Sequence, residues 1–145
     1  MNKDIPAWIR GPLWLLAAVT LINGVAMFFF PLTWFFRLVP GVAETGPYNM
    51  HLVMDGGTFY LGVGLGLIAA AIDAIRNAIA VVVAAVASTT HALLHLWSHA
   101  ERLLTWNAAT TEVSGIYIPT LVLLALAVCL YRPHAQTAIR AVRAA

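Results

Sequence analysis

Residues 78–104 read AIAVVVAAVASTTHALLHLWSHAERLL, and from Ala78 to Ala100 no Asp, Glu, Lys or Arg interrupts the run. A helix needs about 20 apolar residues to cross the ~30 Å hydrocarbon core of a bilayer. The same stretch carries His91, His95 and His99 at four-residue intervals, and Ala80, Ala84, Ser88 and Arg102 extend the stripe. At helical spacing these positions share one face. The segment therefore reads as a membrane-spanning helix with a single small or polar stripe.

Three further runs meet the same length criterion. The spacing predicts spans over residues 12–30, 48–72, 78–104 and 115–132. Gly11-Pro12 opens the first and Pro31 closes it. Pro47 stands at a favoured first helical position for the second, and Ser114 is a candidate N-cap for the fourth. Residues 31–40, bracketed by Pro31 and Pro40 and rich in aromatics, are too short to span and read as an interfacial helix. Residues 133–145, with Arg140 and Arg143 among alanines, read as a cytoplasmic tail lying on the membrane. The expected fold is all-α: one polytopic membrane domain over residues 1–145, a four-transmembrane-helix bundle.

Composition excludes other classes. Hydrophobic residues make up 61% of the chain and charged residues only 10%, against roughly 25% charged in a soluble domain. Eight basic and six acidic side chains cannot coat a soluble enzyme of this size, nor supply the clustered cations of a nucleic-acid module. The single cysteine, Cys129, lies in an apolar run, which excludes an intrachain disulfide and a cysteine metal cage. No glycine-rich phosphate loop or Ser-His-Asp order assigns a catalytic reaction. The first expected partner is the lipid bilayer, and nucleic acid is not expected.

Basic residues set the expected orientation, because Lys and Arg near span ends favour the cytoplasm. Four spans place both termini and the Asp73–Asn77 turn on one side, with Lys3, Arg10, Arg76, Arg132, Arg140 and Arg143. The other side holds Arg37 and Arg102 together with Glu44, Glu101 and Glu112. Both termini are therefore expected inside the cell's inner membrane, with the first span a retained signal anchor. Trp34, Tyr48, Trp97, Trp106 and Tyr117 outside, and Trp8, Trp14 and Tyr131 inside, are expected as interfacial anchors.

Ionisable residues within spans are costly and mark sites. On the second span His51 and Asp55 are four apart, and Thr58, Gly62, Gly66 and Ala69 continue their face. Counted at 1.5 Å per residue from the outer boundary, Asp55 lies about 12 Å deep, His95 about 10 Å and His91 about 16 Å. Two polar stripes at matched depth on consecutive antiparallel helices are expected to face each other. The spacing of Gly62 and Gly66 is expected to let that hairpin close tightly toward its inner end.

Imidazoles with one carboxylate make an ordinary metal ligand set, so His51, Asp55, His91 and His95 are the candidate ligands, with His99 as a further one. Copper, zinc or iron suits these donors, and b-type haem between two histidines is a lesser variant. Asp55 is the one charge placed away from span ends, loops and tails. Two other readings use the same residues: a polar stripe that only pairs the helices, and a proton or ligand site in a small transporter or lipid-binding protein.

The pattern Asn49-x-His51-x3-Asp55-Gly56, followed across a hairpin by His91-x3-His95, resembles that of small bacterial four-helix membrane proteins, similar in size and topology to the DoxX-like group. The resemblance implies the bundle fold. In that group some members are linked to redox assemblies. The expected function is a small accessory subunit of a larger, redox-linked membrane complex, associated with other membrane protein subunits and carrying the His/Asp metal site.

Overall fold

The computed structural model describes residues 5–104 and 109–132, and every regular element among them is helical. The expected tail at 133–145, Lys3 and the Trp106 anchor lie outside the described residues. Helix α1 spans Ala7–Phe29 and is followed by α2, Pro31–Thr33, which runs into a π turn at Trp34–Leu38. A 3-10 turn at Val42–Glu44 leads to α3, Met50–Ile72, and a short turn joins it to α4, Ala78–Ala100. Helix α5, Ala109–Glu112, continues through a second π turn, Val113–Tyr117, into α6, Ile118–Tyr131.

Among the described residues four helices are long and apolar enough to cross a membrane: α1, α3 and α4, each 23 residues, and the 19-residue run Val113–Tyr131. At 1.5 Å per residue the 23-residue helices are about 34 Å long, which matches a bilayer core with little overhang. The chain is a membrane-type four-helix bundle.

Boundaries differ from the sequence reading where local chemistry intervenes. Helix α1 starts ahead of Gly11-Pro12 because Ile9, buried with Leu13, Leu16 and Ala17, carries the packed stripe back past the proline. Helix α3 begins at Met50, two residues past Tyr48, because the Asn49 side chain accepts the Leu52 N–H at 3.1 Å and caps it. Pro47 therefore precedes the helix. Helix α4 stops at Ala100, short of Leu104, where Arg102 takes a left-handed backbone (φ 58°). Ser114 is not a cap: it sits inside the second π turn and donates to the Thr111 carbonyl at 3.1 Å.

The helices pack as two pairs, α1 with α3 and α4 with α6, joined through α3 and α4. The α1/α3 pair is in backbone contact. A Cβ on Gly24 would stand 2.9 Å from the Leu61 nitrogen, and one on Gly57 2.9 Å from the Phe28 nitrogen. Only residues without side chains permit that approach, the usual device of helix pairs in lipid. The expected tight contact at Gly62 and Gly66 is present at one of the two. A Cβ on Gly66 would meet the Ala80 Cβ at 3.4 Å, whereas one on Gly62 would meet nothing within 4 Å.

The main core gathers the end of the bundle that carries the Asp73–Asn77 turn, here the turn end. Leu13 and Leu16 of α1, Leu67 and Ala70 of α3, Val81 and Ala84 of α4 and Leu126 and Leu130 of α6 are all buried there. Asn77 fastens the turn by donating to the Ala69 and Asp73 carbonyls, each at 2.9 Å. At the opposite, loop end a smaller cluster of Met27, Phe35 and Val53 seals α1 against α3. The segment expected at the interface supplies that seal. Trp34 Nε1 donates to Asn23 Oδ1 at 2.7 Å, and the Phe35 ring meets Tyr48 edge-on at 5.2 Å. Residues 31–38 thus fold back onto the α1/α3 pair, and the Trp34 and Phe35 rings pack there.

Candidate functional site

The α4 stripe meets its carboxylate at the loop end, and the carboxylate is Glu112. A salt-bridge distance of 3.0 Å separates His95 Nδ1 from Glu112 Oε1, and 2.7 Å separates His99 Nε2 from Glu112 Oε2. An ionised carboxylate only accepts hydrogen bonds, so each imidazole donates from the named nitrogen. The Tyr117 hydroxyl lies 3.5 Å from Glu112 Oε2, at the limit of a hydrogen bond. The side chains of Glu112, His95 and His99 are 8%, 20% and 4% exposed, so the cluster is largely shielded.

Each partner is placed by ordinary local structure. The three histidines recur every four residues on α4, so one face presents them in a column. Glu112 is brought in because the short helix α5 (Ala109–Glu112) precedes the fourth span and joins it through the π turn at Val113–Tyr117. π turns of this kind often sit beside functional groups. Thr120, one turn further along, donates to the Ile116 carbonyl at 2.7 Å and to the Ser88 carbonyl at 3.2 Å, tying α6 to α4 just beneath the cluster.

Opposing effects act on the Glu112 carboxyl. Burial pushes its pKa up, while the hydrogen bonds from His99 and His95, and the charge these rings carry when protonated, pull it down. The pull wins, and the group titrates below the ordinary glutamate range.

His91 extends the column one turn deeper. Its ring stands edge-on to His95, with centroids 4.7 Å apart and planes at 67°. The structure therefore brings His91, His95 and His99 together with Glu112, a residue that the sequence pattern places among the loop charges. The buried stripe of α6, stepped back at helical spacing from Leu130 through Leu123, does return to the Glu112 position, and that was the available signal.

His51 and Asp55 lie elsewhere. They pair with each other on α3, Nε2 to Oδ2 at 3.4 Å, with side chains 89% and 51% exposed. Among the described residues, Asp55 pairs with no group of α4. The two polar stripes therefore do not join around one point: α4 turns its histidines to α5, and α3 presents its pair outward. The residues His51, Asp55, His91 and His95 form two separate pairs.

No protein-family model, characterised protein or solved structure matches this chain. The chemistry of the cluster rests on its own geometry.

Among the described residues no three His, Cys, Asp or Glu side chains are arranged to hold one metal ion. The cluster does offer a two-histidine arrangement. With Nδ1 committed to Glu112, a neutral His95 keeps its lone pair on Nε2, and His91 stands beside it. A carboxylate that fixes the far nitrogen of an imidazole is the usual outer partner of a metal-binding histidine.

Proposed function

We propose that the chain is a small accessory subunit of a larger membrane assembly, carrying a metal ion on His91 and His95. The observation that supports this reading is the hydrogen bond from His95 Nδ1 to Glu112 Oε1, 3.0 Å long and largely shielded. It sets the tautomer of His95, fixes its ring and leaves one nitrogen for a Lewis acid. Imidazole donors suit zinc, copper and iron. Such an ion supplies Lewis acidity, or electron transfer in the case of copper and iron.

Two histidines leave coordination positions for water or for a side chain of another protein. That incompleteness favours a subunit over a free-standing catalyst. The excess of basic residues on the side of the termini and the Asp73–Asn77 turn favours an inner-membrane protein with both termini cytoplasmic. The histidine cluster then faces the opposite compartment.

Elemental analysis of protein purified in mild detergent without chelator tests the reading. The expected result is about one zinc, copper or iron ion per chain in the native protein, lost in His91→Ala with helix content unchanged. Background metal in both proteins sinks the metal site, and a Soret band would replace it with haem. Purification as a lone chain from its native membrane would remove the subunit role.

A further inference from the structure

A groove of about 440 Å³ runs between α3 and α4, lined by Thr58, Phe59, Gly62 and Gly66 on one wall and by Ala80 and Val83 on the other. It pinches shut toward the turn end, where a Cβ on Gly66 would reach the Ala80 Cβ at 3.4 Å. One turn toward the loop end, at Gly62, a Cβ would have nothing within 4 Å. The result is a wedge-shaped apolar slot, open in the direction of the loops.

Its volume and lining bear on the occupant. The volume lies within the range of about 300–1,000 Å³ typical of small-molecule sites. A hydrocarbon chain matches both the taper and the lining.

The polar pair on α3 defines the head group. Seven residues before Gly62 the helix returns to the same line at Asp55, about 10 Å nearer the loop end. Asp55 is half exposed, and its ion-pair partner is the still more exposed His51 at 3.4 Å. A half-exposed carboxylate about one helical turn beyond the lining residue Thr58 complements a cationic head joined to an apolar chain. Left facing acyl chains alone, it would be costly.

We propose that this groove binds a bilayer lipid with a primary ammonium head group, one acyl chain lying against Gly62 and the ammonium on the Asp55 carboxylate. The groove meets α4 at Ala80 and Val83, toward the turn end, whereas the histidine column stands toward the loop end.

Native mass spectrometry of the full chain in mild detergent, with phosphatidylethanolamine or phosphatidylglycerol added, tests the proposal. Gly62→Leu is the decisive variant, because its Cβ enters open space while leucine favours the helix over glycine. The wild type should retain phosphatidylethanolamine roughly tenfold more than phosphatidylglycerol, as one charge-assisted hydrogen bond implies. Gly62→Leu should lose the bound lipid with its unfolding midpoint maintained. Asp55→Asn should keep a bound lipid but lose the preference between the two head groups. Equal retention of both lipids by the wild type overturns the proposal, as does undiminished retention by Gly62→Leu. Release of a second copy or another protein by Gly62→Leu would also overturn it, by assigning the slot to a helix.

Discussion

Gly57→Ala and Gly62→Ala place the same methyl group on the same helix and should have opposite effects. At Gly57 the new Cβ would stand 2.9 Å from the Phe28 nitrogen and 3.0 Å from both the Gly24 carbonyl oxygen and the Met27 Cβ. Two of those three atoms are backbone, so neither can swing aside. Relief requires α1 and α3 to separate along their contact, and overpacking of that kind costs about 1–3 kcal/mol. The gain in helix propensity on replacing glycine returns at most ~1 kcal/mol. At Gly62 no atom lies within 4 Å of the added carbon, so only the propensity gain remains. The propensity gain is common to both, so the two variants should differ by the overpacking cost, about 1–3 kcal/mol, with Gly57→Ala the less stable. Reversible unfolding in mixed micelles, followed by tryptophan fluorescence, measures this as a shift in the denaturing-detergent midpoint. Equal midpoints, or a greater loss at Gly62, would refute the backbone contact between α1 and α3.

Trp34→Phe should lower stability by about 1–2 kcal/mol, since it leaves Asn23 Oδ1 without the indole donor that reaches it at 2.7 Å. Thermal unfolding in detergent reads this, and an unchanged midpoint would detach the Trp34 turn from α1. Asn77→Ala removes two 2.9 Å bonds that close the turn between α3 and α4. A loss of about 1–2 kcal/mol is expected, with faster amide exchange at the turn. Glu112 also sets an acid limit on the metal-free protein. Its carboxyl titrates lower folded than unfolded, so its contribution is complete above the ordinary glutamate range and is lost as pH falls through the depressed value. Unfolding midpoints measured from neutral to acid pH should show that loss in the native protein and less of it in Glu112→Gln.

Much of the fold was legible because the bilayer imposes it. A chain with no charge between Ala78 and Ala100 has few alternatives to a spanning helix. The histidine column was equally plain, since it depends only on spacing along one helix. What spacing does not reveal is which neighbour a face meets. Gly62 and Gly66 have the familiar separation, but backbone contact with α1 falls to Gly57, because helix rotation is set by the whole packed surface.

Glu112 was hidden for a related reason. The segment Thr110-Thr111-Glu112-Val113-Ser114-Gly115 carries the polar and glycine signals of a loop. Its tertiary bonds to His95 and His99 hold it in helical and π-turn form, overriding those signals. Asp55 stands out in the sequence by its depth and its spacing from His51, and neither distinguishes a residue facing the bundle from one facing outward.

The most direct test of the account is a zinc and copper titration of metal-stripped protein, comparing the native chain with Glu112→Gln and Asp55→Asn. If His95 holds the ion and Glu112 orients it, Glu112→Gln should weaken binding by about 10–100-fold, while Asp55→Asn should bind as the native chain does. Weakening by Asp55→Asn with Glu112→Gln unaffected would return the site to the face of α3 and contradict the assignment made here.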